Sequence, residues 1–167
     1  MHKHLKTDLS VEGIEQLKAE IERYKESLLS KEVEFLHKLA DLGIEIIDAN
    51  YIAAPETSAA HSTSVVTIDA TRDTYTIQIR VSGDDLLFVE FGAGTFYNGA
   101  VGSSPHPKGA ELGMTIGDYG YKQGRRSWWR TPEGTLTHGQ PAMMPVQKAD
   151  EAIIKAITEI AQQIWGE

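Results

Sequence analysis

A glycine-rich stretch with no hydrophobic period, residues 92–141, constrains this chain more than any other feature. It holds most of the chain's 15 glycines and 6 prolines. Structureless loops longer than roughly 12–15 residues are uncommon inside compact domains. A segment of this length is therefore functional in itself or ordered against a partner. Both of its ends are marked. The run Leu86-Leu87-Phe88-Val89-Glu90-Phe91-Gly92-Ala93-Gly94 enters it, apolar with one carboxylate and a glycine pair. Gly139-Gln140-Pro141-Ala142-Met143-Met144-Pro145 leads out of it.

The rest of the chain reads as an ordinary globular sequence. Its 167 residues suit one domain, 1–167, with a core of moderate size. No apolar run reaches the roughly 18–20 residues that span a bilayer, and the basic N-terminus lacks the apolar segment of a signal peptide. With no cysteine, disulfides, thiolate zinc sites and cysteine nucleophiles are excluded, which suits a reducing cytoplasm. The net charge of −8 is uneven. Residues 1–50 carry 7 basic and 11 acidic groups, whereas residues 96–143 carry 5 and 3. The long loop is thus the basic region of an acidic chain. Dedicated nucleic-acid binders show a denser basic patch; a basic loop laid on an acidic neighbouring copy fits the pattern better.

Ser10 has the character of an N-cap, with Glu12 and Glu15 in the first turn where the helix dipole favours negative charge. From there Ile14, Leu17, Ile21, Tyr24 and Leu28 recur at steps of three and four, a narrow helical stripe. After Leu28 the apolar face widens into two rows. Phe35, Leu39, Leu42 and Ile46 form one, and Leu29, Val33, Leu36, Ala40 and Ile47 the other. The pattern predicts a helix or helix pair over 10–50, with a possible break near 29–31 where Ser30 offers a second cap. The second half is expected on a sheet and the first half toward a partner. Strands are expected within 62–91: Ser64–Ala70, Thr74–Val81 with clean alternation, and Leu86–Phe91 as a third. Short strands near Met114–Ile116 and Ser127–Trp129 would raise the sheet to 3–5 strands. A C-terminal helix over 145–165, with Pro145 in its first turn, packs on that sheet. The fold class is α+β.

Few residues carry a chemical signature. His61, His106 and His138 fall in expected loops, none with a partner at metal-ligand spacing, and read as solvated. Phe91-Gly92-Ala93-Gly94 lacks the helix signal and lysine of a phosphate cradle, so its glycines are expected to permit a sharp turn. No nucleophile elbow is present. Glu90, alone in an apolar run, reads as a structural hydrogen-bond or ion-pair partner rather than a catalyst. Gly124-Arg125-Arg126-Ser127-Trp128-Trp129-Arg130 interleaves residues that stack on single-stranded bases with residues enriched at protein–protein hot spots. The acidic chain favours the second use.

The order of these features resembles the tail-completion, or head–tail joining, proteins of long-tailed bacteriophages and prophages, also called minor tail components. The residues that carry the resemblance are Val89-Glu90-Phe91-Gly92-Ala93-Gly94 and Gly139-Gln140-Pro141-Ala142-Met143-Met144-Pro145-Val146, with the helix after them. It covers roughly residues 60–165. The family commonly shows a Phe near the first Met of the second motif, where this chain has Met143-Met144. The resemblance implies a structural virion protein, neither an enzyme nor a carrier of metal or cofactor. It would be assembled in the bacterial host cytoplasm into a ring in the tail or neck. Its partners would be its own copies, the tail tube or terminator and the head connector, with DNA passing through unbound and no membrane involved. The residues expected at subunit contacts are Glu90, Phe91, Gly92, Gly94, Arg125, Arg126, Trp128, Trp129, Arg130 and Pro141. A tail terminator or another neck protein is the nearest alternative. A small metal-dependent hydrolase using Glu90 with His106 or His138, or a single-strand nucleic-acid binder, are the others.

Overall fold

A computed structural model describes residues 8, 10–54, 61–71, 74–83, 85–94, 105–109, 111–112, 129–130, 136–137 and 139–166. Arg125, Arg126, Trp128, His138 and the expected strand at Met114–Ile116 lie outside these residues. The architecture is α+β: a long N-terminal helix, a small antiparallel sheet and a C-terminal helix.

The first helix, α1, runs from Val11 to Ile52 without interruption, so the expected break near 29–31 is absent. The reason is local. Neither glycine nor proline occurs between Ile14 and Leu42, and exposed pairs such as Lys25–Glu22 (3.3 Å) and Lys38–Glu34 (3.2 Å) support successive turns. Ser10 caps the start, its hydroxyl oxygen accepting from the Gly13 N–H at 3.0 Å. The two halves of α1 differ in their surroundings. Leu39, Ala40, Gly43, Ile47 and Tyr51 are buried, whereas residues 21–30 are all exposed.

Strands β1 (Ser62–Ala70) and β2 (Tyr75–Ser82) form an antiparallel hairpin, with a bulge between Thr67 and Asp69. In β2, Tyr75, Ile77, Ile79 and Val81 are partly covered and the residues between them exposed, as the alternation predicts. A lone hairpin is marginal in water, and α1 supplies the covering surface. The sheet stops at two strands rather than three to five.

The expected third strand is instead a short helix, α2 (Leu86–Phe91). A six-residue apolar run does not distinguish strand from helix by period. Tertiary demand decides it here, because Val89, Glu90 and Phe91 are all buried. A strand would turn the middle one of these away from the other two. Four two-residue segments follow as two ladders: β3 (Ala93–Gly94) pairs with β6 (Gly139–Gln140), and β4 (Trp129–Arg130) with β5 (Leu136–Thr137).

The last helix, α3 (Pro145–Trp165), lies antiparallel along the second half of α1. Trp165 meets Phe35 with ring centroids 5.1 Å apart, and Lys148 Nζ donates to Asn50 Oδ1 at 2.7 Å near the other end. Gly43 permits the close approach. A Cβ there would stand 2.6 Å from Ile79 Cδ1 and 2.9 Å from Ile153 Cδ1, so hairpin and α3 meet α1 at this point. Ile47, Tyr51, Ala54, Val89 and Ala149 form the core, with Ile46, Ile79, Val81, Leu86 and Met143 packed against it.

Candidate functional site

The two sequence motifs that flank the long loop meet in space. Gly92 turns the chain out of α2 with φ 81°, a conformation that favours glycine, and this is the sharp turn expected of it. Ala93 then pairs with Gln140 and Gly94 with Gly139. The Met143 N–H donates to the Val89 carbonyl at 2.8 Å. The two ends of the intervening segment, at Gly94 and Gly139, are therefore held side by side.

Glu90 ties this clasp to α3. That helix begins at Met144, in the left-handed conformation with φ 53°, followed by Pro145. No side chain at the cap position bonds to the helix, so its first N–H groups need acceptors from elsewhere. Glu90 supplies them. Its Oε2 accepts from the Val146 N–H at 2.8 Å and its Oε1 from the Gln147 N–H at 3.0 Å. A carboxylate at this end is further favoured by the helix dipole.

His106 completes the arrangement. Its Nε2 lies 2.9 Å from Glu90 Oε1, and both residues are buried, at 6% and 7% exposure. The Lys108 N–H points at His106 Nδ1 from 3.0 Å, so Nδ1 is the acceptor. The ring is then the neutral tautomer whose Nε2–H donates to Glu90, an assignment made from the bonding pattern. The rings of Phe91 and His106 lie 4.4 Å apart, and the turn around His106 closes through Gly109 N–H to His106 O at 2.9 Å. His106 is thus not the solvated loop residue expected from sequence. Nor is His61, half-buried over Tyr51 at a ring distance of 4.6 Å. Asp48 accepts from the Thr63 hydroxyl at 2.6 Å and bonds His61 Nε2 at 3.0 Å, pinning the start of β1 to α1. Burial, and secondarily the Glu90 charge, push the Tyr51 phenol up to about 12.

A cleft of about 520 Å³ opens above this cluster, lined by Leu86, Leu87, Leu112 and Val146 with Glu90 and His106 among its walls. The carboxylate in it is already committed to two helix N–H groups and an imidazole N–H. These three bonds give it a structural role, tying α3 to α2 and to the turn at His106. Among the described residues, no three His, Asp or Glu side chains gather in a way that would hold a metal ion. Also among them, no helix is long and apolar enough to cross a membrane.

Of the expected contact residues, Glu90, Phe91 and Gly92 are buried in the chain's own fold, and Gly94 and Pro141 lie in or beside the clasp. Trp129 and Arg130 form β4 at some remove along the loop. The role of His106 has no signature in the residues around it. The signal available was the uncapped start of α3, a helix opening on Met144-Pro145 that must borrow an acceptor. Against protein-family models, curated proteins and solved structures alike, the chain finds no match.

Proposed function

We propose that the chain is a structural virion protein of a long-tailed phage or prophage, forming an oligomeric ring at the head–tail junction or tail end during tail completion. The observation that carries this reading is the clasp. Val-Glu-Phe-Gly and Gly-x-Pro-Ala, the two motifs behind the family resemblance, are halves of one device, bound by Glu90 to the start of α3. Its role is to close the body and present the intervening loop from a fixed base. A basic loop on an acidic body gives each copy two different complementary faces, which a closed ring of identical subunits requires. An acidic lining lets DNA pass without the counterion release that accompanies binding. The tail terminator is the neighbouring assignment and shares this physics.

Light scattering on a size-exclusion column, with negative-stain imaging of any large peak and of tails mixed with the protein, tests the reading. Rings of several copies, free or on tail ends, support it. A chain that neither forms rings nor binds tails overturns it. A second reading has one observation in its favour, the meeting of Glu90 and His106 beside a cleft. A hydrolase using this pair with zinc would show a rise in Tm on equimolar zinc, which the structural reading does not expect.

A further inference from the structure

The first half of α1 carries an apolar face that the body leaves uncovered. At a rise of about 1.5 Å per residue, α1 is roughly 63 Å long and α3 only about 31 Å. Antiparallel packing brings the end of α3 to Phe35, where Trp165 rests. Residues 11–30 continue past it as an arm. On that arm Ile14, Ile21, Tyr24 and Leu28 are each 36–41% exposed, high values for large apolar side chains on one helix face. Where the arm leaves the body, a groove of about 380 Å³ runs beside Tyr24, Leu28 and Trp165.

The spacing of this face specifies its partner. Ile14, Leu17, Ile21, Tyr24 and Leu28 alternate steps of three and four, the seven-residue repeat of a coiled coil. Isoleucine holds the first core position of the repeat at residues 14 and 21, and leucine the second at residue 17. In parallel coils this combination favours two strands. The flanking charges fix the direction. Glu20 borders the core on one side, and Lys18 and Lys25 border it on the other. In a parallel pair, Glu20 of each strand faces Lys25 of its partner strand, so that Lys25, which already lies 3.3 Å from Glu22 of its own helix, is shared between two carboxylates. An antiparallel pair centred on Ile21 would set Lys18 against Lys25 of the other strand, a repulsion. The arm as a whole is close to charge balance, with five acidic and four basic residues over 11–31, so two copies do not repel.

We infer that the arm of α1 pairs with the same arm of a second copy as a parallel two-stranded coiled coil over residues 14–28. So short a repeat is marginal for free peptides, since isolated helices under roughly 12–15 residues rarely hold in water. Here the helix is already nucleated, because the second half of α1 is packed in the body. Pairing therefore orders no new backbone. The inference does not rest on the virion reading. A two-fold coil uses the same face of both copies, whereas ring closure needs two different faces, so the two contacts are separate.

Sedimentation velocity of the full chain over a range of concentrations reads the result. A dimer is expected, and Ile21→Asp is expected to raise the dimer dissociation constant about a hundredfold with helix content unchanged. Direction is read separately, because the chain has no cysteine to interfere. Ile14→Cys forms an interchain disulfide under mild oxidation only if the strands are parallel; Ile21→Cys does so in either direction. Glu20→Lys weakens the dimer and Glu20→Lys with Lys25→Glu restores it. A chain monomeric at all concentrations, a dimer indifferent to Ile21→Asp, or crosslinking of Ile21→Cys without Ile14→Cys overturns the inference.

Discussion

The two halves of α1 share one helix, one backbone geometry and similar residue types, yet they are held by different forces. Residues 31–52 have a partner helix, a hairpin and a core, whereas among the described residues the arm 11–30 has only Trp165 of α3 beside Tyr24 and Leu28 at its base. The body half would stay helical largely because leaving helix would expose Leu39, Ala40, Ile47 and Tyr51. The arm half rests on propensity, its Ser10 cap and pairs such as Glu22–Lys25. Helix propensities differ by well under about 1 kcal/mol per residue, whereas one buried aliphatic side chain contributes about 1.5–3 kcal/mol. Stability is therefore concentrated in the second half of α1, while the first half leaves its apolar stripe exposed.

The clasp is where that concentration is most easily broken. Glu90→Ala removes an acceptor from the Val146 and Gln147 N–H groups and from His106 at once, inside a buried site. A loss of about 3–5 kcal/mol is expected, because three buried donors lose their acceptor at about 1–3 kcal/mol each, and urea unfolding reads it. Glu90→Gln should recover part of it, because the amide keeps one acceptor oxygen. If Glu90→Ala unfolds at the same urea concentration as the parent chain, Glu90 does not hold the start of α3.

One substitution made in both halves of α1 gives the next effect. Ile47→Ala empties a position 2% exposed in the core and is expected to cost about 2–4 kcal/mol. Ile21→Ala, on the arm, is expected to change the stability of the monomer by less than about 0.5 kcal/mol, measured at low protein concentration. Equal losses at the two positions would mean that the arm is covered within a single chain.

How much of this was legible in the sequence follows the same division. The stripe from Ile14 to Leu28 and the wider rows after it announced both halves of α1, because helical period survives in any environment. The alternation in β2 was equally plain. Residues 86–91 read as a strand from their apolar run, yet their conformation is set by what they reach, not by their period. Glu90 was correctly expected to be a structural partner, but its partners lie 16 residues away at His106 and 56 at Val146. Such spacing has no local signature. Nothing beside His106 and His61 in the chain predicts their burial. The break at Ser30 was expected from a capping residue alone, and a good capping residue does not end a helix that lacks a glycine or proline to stop it.

A third test uses alkaline pH. The Tyr51 phenol ordinarily titrates near 10 and is held up to about 12 by burial and by the Glu90 charge. The folded protein thus keeps this proton more tightly than the unfolded chain. Its contribution to stability is complete below pH 10 and declines as pH rises from 10 toward 12. Unfolding followed across that window should show a steeper loss for the parent chain than for Tyr51→Phe, which has no proton to lose. Arm variants such as Ile21→Ala should keep the parent slope.

The smallest effects differ in sign between the halves. Ser30→Ala lies on an exposed turn of the arm, where alanine gains about 0.5 kcal/mol of helix propensity and touches nothing. Gly43→Ala gains about 1 kcal/mol from the same source. Its Cβ, however, would press within 2.6 Å of Ile79 Cδ1 and 2.9 Å of Ile153 Cδ1. Both contacts are with the ends of side chains that can turn, but they converge from opposite elements, so moving one does not relieve the other. Crowding of this kind costs about 1–3 kcal/mol, which outweighs the gain and leaves a net loss on the order of 1 kcal/mol. Thermal unfolding should therefore place Ser30→Ala slightly above the parent chain and Gly43→Ala below it. A Gly43→Ala protein more stable than the parent would show that hairpin and α3 approach α1 less closely than these distances require.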